Sequence, residues 1–192
     1  ALRARWHYLR GLRDLPQHRA CHAVGEDQWR QELDVETEAD LALIRGDLAL
    51  ARDLFTWLRE HASHPVAAVQ ALIGLGDAAR HDDDLTTAQD WYEEAAALAD
   101  DSRFSFGGMR ARLPLAYLVR RSGSAEQMLA TAADCEDRAR NLRDRVYIAN
   151  ALVAKGEALD LLNRQDEAVQ VLTEAVDRFR RVNSQVGVAG AG

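Results

Sequence analysis

The sequence predicts an all-α fold built from repeated helix pairs, and three observations carry that prediction. Apolar residues recur at spacings of three and four, the period of a helix with one buried face. Ala and Leu dominate, and only three prolines occur in 192 residues, which favours helix throughout. One pattern of small and large apolar residues also returns at a nearly constant interval. Short helix pairs cannot bury their apolar faces alone, so they stack on neighbours of the same kind.

Val69 to Asp100 shows the pattern best. Leu72, Leu75, Gly76 and Ala79 share one face, the turn His81-Asp82-Asp83-Asp84 follows, and Leu85, Ala88, Tyr92, Ala95 and Ala99 share a second face. Short acidic side chains compete for backbone donors and cap the helix that follows. Gly76, Ala88 and Ala95 let the two helices approach, and Tyr92 fills the remaining volume. Equivalent anchors are Ala51, Ala88, Met128 and Ala168, spaced 37, 40 and 40 residues apart.

In chain order, residues 2–13 read as an amphipathic helix through Leu2, Trp6, Leu9 and Leu12, ended by Asp14-Leu15-Pro16 because the residue before proline avoids the helical region. Residues 18–25 carry no readable pattern. A helix is expected from Asp27 to Arg45, with Trp29, Leu33, Leu41 and Ile44 as its apolar residues, then a Gly46-Asp47 turn and a helix over Leu48–Glu60. Pro65 suits the first turn of the next helix. Gly107-Gly108 and Pro114 predict an irregular third unit, its first helix either starting late near Arg112 or starting near Ser105 and kinking at Pro114. Ser124 is placed as the cap of a helix ending near Arg140, and a last pair runs from Asp144 to Phe179. The expected division is a helical segment over 1–31, units over 32–65, 66–102, 103–142 and 143–183, and the start of a further unit over 184–192, within a longer parent.

Gly76, Ala88, Tyr92 and Ala95, and again Gly156, Ala168, Leu172 and Ala175, are spaced by 12, 4 and 3. In this the chain resembles the tetratricopeptide repeat family. The likeness covers roughly residues 32–192. It departs in a period longer than the usual 34, in lacking the helix-ending proline and in a degenerate third unit. The longer period resembles the arrays of large bacterial regulatory ATPases and transcription activators. The resemblance implies a right-handed α-solenoid of antiparallel helix pairs whose first helices line a concave groove. Carried over, the groove residues are Gln70, Ile73, Asp77 and Arg80, then Arg110, Leu113, Tyr117, Arg120 and Arg121, then Asn150, Val153, Glu157 and Asp160. The Lys/Asn clamp of chaperone-binding members is missing, for Glu36 and Asp40 stand at its places in the first unit.

A formal charge of −7 argues against nucleic acid as the main partner, since duplex binding rests on dense positive charge. No stretch approaches the roughly 20 apolar residues of a membrane span. Cys21 and Cys135 fit a reducing cytoplasm, with Cys135 a small core residue, and a bias to Arg that leaves Lys155 the only lysine fits a bacterial source. His18, Cys21 and His22, or His61 and His64, have spacings that could hold a metal from one helix face, but neither has a carboxylate at motif spacing, so solvated histidines are expected. Glu32, Asp34, Glu36, Glu38 and Asp40 alternate and read as a solvated face. GLGDAA and RSGSAE lack the ending and the preceding strand of a phosphate loop. No cofactor, metal or catalytic residue is therefore expected. The expected function is protein or peptide binding within a larger bacterial regulatory protein. The alternative is an effector-sensing module of a transcriptional regulator or signalling ATPase. Arg110, Arg120, Arg121 and Tyr117 form the basic, aromatic part of the groove, suited to an acidic or phosphorylated partner.

Overall fold

The structure is a computed structural model, and it describes residues 26–121 and 124–182. The first amphipathic helix, the His18–Cys21–His22 cluster and the C-terminal half-unit lie outside these residues. Among the described residues the chain is all helix: α1 (Glu26–Arg45), α2 (Leu48–His61), α3 (Pro65–His81), α4 (Leu85–Asp101), α5 (Ser105–Arg121), α6 (Ala125–Asn141), α7 (Arg145–Leu161) and α8 (Gln165–Arg181). Helices joined by such short links run antiparallel, and the all-α repeat architecture expected from the sequence is what the chain adopts.

From α3 onward each helix has 17 residues, about 25 Å, and each starts 20 residues after the last. The metronome comes from the links. Gly46, Asp83, Arg103, Arg143 and Asn163 all sit at φ between 55° and 79°, the left-handed conformation that stops a helix. Side chains then start the next one: Asp47, Asp84, Ser124 and Asp144 each accept a backbone N–H of the first turn. Pro65 occupies the first turn of α3 as expected.

Two compact bodies divide between Ala111 and Arg112, inside α5. In the first, Ala39, Ala42, Ala51, Phe55, Leu58, Ala67, Ala71 and Leu75 form one core across α1, α2 and α3, with Trp57 and Trp91 against it. In the second, Ala116, Val119, Met128, Ala132, Ala154 and Ala158 join α5, α6 and α7. Close approach depends on missing side chains. A Cβ on Gly76 would lie 2.7 Å from the Tyr92 ring, and one on Gly156 would lie 2.5 Å from Leu172.

Two expectations are corrected. The late start near Arg112 is overturned: α5 begins at Ser105, the other start expected, and continues through Pro114. Gly107 lies within the helix, and the Phe104 ring and Val69 occupy the space where a Cβ would stand. The apolar face of α1 is also not the one expected. Leu41 and Ile44 are exposed, and Ala39 and Ala42 make the close contact instead.

Candidate functional site

Alternate helices α3, α5 and α7 carry polar residues in one register. Gln70, Arg110 and Asn150 are each the sixth residue of their helix; Asp77, Tyr117 and Glu157 the thirteenth; Arg80, Arg120 and Asp160 the sixteenth. These are the groove residues expected from the repeat frame, and their environments differ sharply.

In the first body Asp77 and Arg80 are tied to packing. Tyr92 is fully buried except for what its hydroxyl does: Oη donates to Asp77 Oδ1 at 2.6 Å, and Arg80 Nη2 lies 3.4 Å from the same oxygen. Burial, with Asp77 adding, raises the phenol well above its ordinary value, so it stays a donor. Gln70 is buried, and its Oε1 accepts from Arg110 Nη1.

Arg110 belongs to the first body, and Arg120 and Arg121 belong to the second. The Arg110 guanidinium is committed to Gln70 and lies close enough to Glu36 to act on its charge. The solvated acidic face expected on α1 is corrected as well. Glu32 and Glu36 are only 2% and 4% exposed. Alternation over five residues hides a stricter pattern: positions 32, 36 and 40 are four apart and share one face. That face turns inward. Glu32 Oε1 accepts the Ser63 N–H at 2.7 Å, while Glu32 Oε2 and Gln70 Nε2 are buried without a hydrogen-bond partner. Desolvation, with Asp40 and Glu32 adding and Arg110 opposing, pushes the Glu36 carboxyl up to about 8.

The histidines have local roles. His64 is half-buried rather than solvated and accepts from the Val66 N–H at the start of α3, while exposed His61 stacks on Trp57 with ring centroids 4.4 Å apart. Among the described residues no three His, Cys, Asp or Glu side chains converge to hold a metal.

In the second body Tyr117, Arg120 and Glu157 are neighbours. Burial, with Glu157 adding, pushes the Tyr117 phenol up to about 12, and Arg120 opposes that rise. Arg120 and Arg121 are exposed at the end of α5, where with Ala125 and Leu161 they line a depression. Leu161 is 51% exposed, so an apolar contact stands beside the two guanidinium groups. Asn150 is half-buried on α7. Glu136 is buried but satisfied, accepting from Arg140 Nε at 2.7 Å and Lys155 Nζ at 3.1 Å; Arg140 continues to Glu174 on α8. Cys135 is buried, and desolvation pushes its thiol up to about 12, which leaves it inert.

Sequence reasoning passed over Glu32 and Glu36 as site residues and missed Leu161. The four-residue spacing on α1 was the available signal for the first two. Leu161 gave none, because only the placement of the end of α5 and the start of α6 beside the end of α7 makes it part of a site.

No protein-family model matches the chain, and no curated protein matches it. Among solved structures, BtubC (BKLC) from P. vanneervenii is similar, with a TM-score of 0.64 over 98% of this chain and 87% of that one. The two share 11% sequence identity, so what they have in common is the fold. No helix among the described residues is long and apolar enough to cross a membrane.

Proposed function

We propose that this chain is a tetratricopeptide-type binding module that captures a protein or peptide and serves as the interaction or regulatory segment of a larger protein. The observation that carries this reading is the polar register of α3, α5 and α7. Three positions per helix hold hydrogen-bonding side chains at an interval of 40 residues, and Asn150, Arg120 and Asp160 among them are not drawn into the core. Regular spacing of that kind suits peptide contacts that recur from one helix pair to the next.

Arg120 and Arg121 form the contact for an acidic or phosphorylated group. Arginine forks match carboxylate and phosphate oxygens, and Leu161 beside them favours a ligand with an apolar residue next to its acid. Fluorescence anisotropy with phosphoserine-leucine and glutamate-leucine peptides tests the reading. Reversing both arginines to Glu should weaken capture by about tenfold or more, a loss of roughly 1.4 kcal/mol, with the helical circular dichroism intact. Unchanged capture at low salt, where exposed charges act most strongly, rules the contact out.

A further inference from the structure

We propose that the polar cluster between α1, α3 and α5 of the first body receives a basic side chain of a bound peptide. Its ammonium or guanidinium lies against the Glu32 and Glu36 carboxylates, and a neighbouring peptide carbonyl accepts from Gln70 Nε2. The inference rests on the peptide-binding reading above but uses a separate site of opposite charge.

Charge is the first ground. Glu32 and Glu36 are almost fully buried one turn apart, and Asp40 continues the row. Arg110 opposes the rise of Glu36 and also donates to Gln70, while Asp40 and Glu32 add negative charge beside Glu36. Buried carboxylates ordinarily come with compensating charge, because burial strips away the water that stabilises them.

Unmade hydrogen bonds are the second ground, and they are independent of the charge. Ser63 fixes one oxygen of Glu32, leaving Oε2 without a donor. Arg110 fixes the oxygen of Gln70, leaving Nε2 without an acceptor. Ser63 Oγ, in the link before α3, is also buried without a partner and can donate or accept; of the two orphans on helices that pack together, Glu32 Oε2 accepts and Gln70 Nε2 donates. The ligand that answers both must carry a cationic donor and an acceptor. A metal ion does not fit, since no three ligating side chains converge among the described residues. A polyamine offers donors and no acceptor. A Lys or Arg residue within a peptide offers both. Asp40 and Arg110 are only half-buried, so the cluster reaches solvent through them.

Without ligand the cluster handles its charge by protonation, for burial holds the Glu36 carboxyl up to about 8. An arriving cation makes the ionised carboxylate the favoured form, and the proton of Glu36 passes to the buffer. Binding near neutral pH therefore releases up to about one proton.

The test is titration calorimetry near pH 7 in phosphate and in Tris, using N-acetyl-Gly-Gly-Arg-Gly-Gly-amide, its Gln counterpart and spermidine. The Arg peptide should bind with proton release, and the Gln peptide and spermidine at least about tenfold more weakly. Glu36→Gln keeps the shape of the protonated carboxyl and should retain the helical circular dichroism. It should abolish the proton release and lower affinity by about tenfold. Gln70→Ala should weaken the Arg peptide and leave spermidine unchanged. Absence of binding by the Arg peptide, equal binding of the Gln peptide or spermidine, or proton release that survives in Glu36→Gln overturns the proposal. If acidic peptides bind through Arg120 and Arg121 while the Arg peptide does not, this site fails and the peptide-binding reading stands; if neither binds, both fail.

Discussion

Tyr92 and Glu36 show how differently two buried polar residues behave. Tyr92 has its partner, so Tyr92→Phe should cost only about 0.5–1.5 kcal/mol, whereas Tyr92→Ala empties a fully buried site and should cost about 3–5 kcal/mol by thermal melts. Gly76→Val drives a side chain into the same ring and should cost about 1–3 kcal/mol. Glu36 has a raised folded pKa of about 8 against 4.5, so between those values the folded chain binds more protons than the unfolded one and stability falls as pH rises. His64, lowered by burial, acts in the opposite sense below 6.5. The window from pH 6.5 to 8 therefore isolates Glu36, with Glu32, Asp40 and Arg110 around it. Stability should drop there by about 1–2 kcal/mol, and Glu36→Gln should flatten the decline. A melting temperature constant across that window contradicts the assignment. The packing residues were legible in the sequence because small-and-large pairing has a fixed spacing. Glu36 was not, because acidic side chains are exposed in most helices and only the approach of α3 makes this face an inner one.

At the scale of the element, helices were easier to read than their irregularities. Glycine and proline within α5 suggested a break, yet tertiary packing overrides local preference there: the Phe104 ring needs the bare Gly107. Pro114 still removes one donor from the helix, so Pro114→Ala should stabilise the chain by about 1–3 kcal/mol, measured by urea unfolding. The links store strain too. Arg103 and Arg143 hold φ of 55°, a conformation that side chains other than Asn and Asp tolerate poorly. Changing either to Gly should raise stability by about 0.5–1 kcal/mol, and Asn163→Gly should gain less. Equal gains at all three positions contradict that account.

For the molecule as a whole, the repeat and its period of 40 follow from sequence, whereas the grouping of charges does not. Arg110, Arg120 and Arg121 look like one basic patch when read along a helix. The first is half-buried beside Gln70 and Glu36, and the other two are exposed. Exposed pairs such as Arg52–Asp82 at 2.8 Å and Arg59–Glu94 at 3.0 Å contribute little singly. Raising salt should accordingly leave the melting temperature within a few degrees while weakening capture of acidic peptides, since salt screens attraction between exposed charges.

The uniform links also constrain how such a chain could be lengthened or shortened by recombination. Every link from α3 onward has three residues, so a crossover at any of them rejoins compatible ends. Loss of one 20-residue segment would nevertheless reverse the direction of every helix after it and exchange the roles of the two helices in each later pair. Loss or gain of 40 residues preserves both. Viable length variants should therefore differ by whole pairs, and a gene library with single-helix deletions should yield insoluble or protease-sensitive products while pair deletions survive.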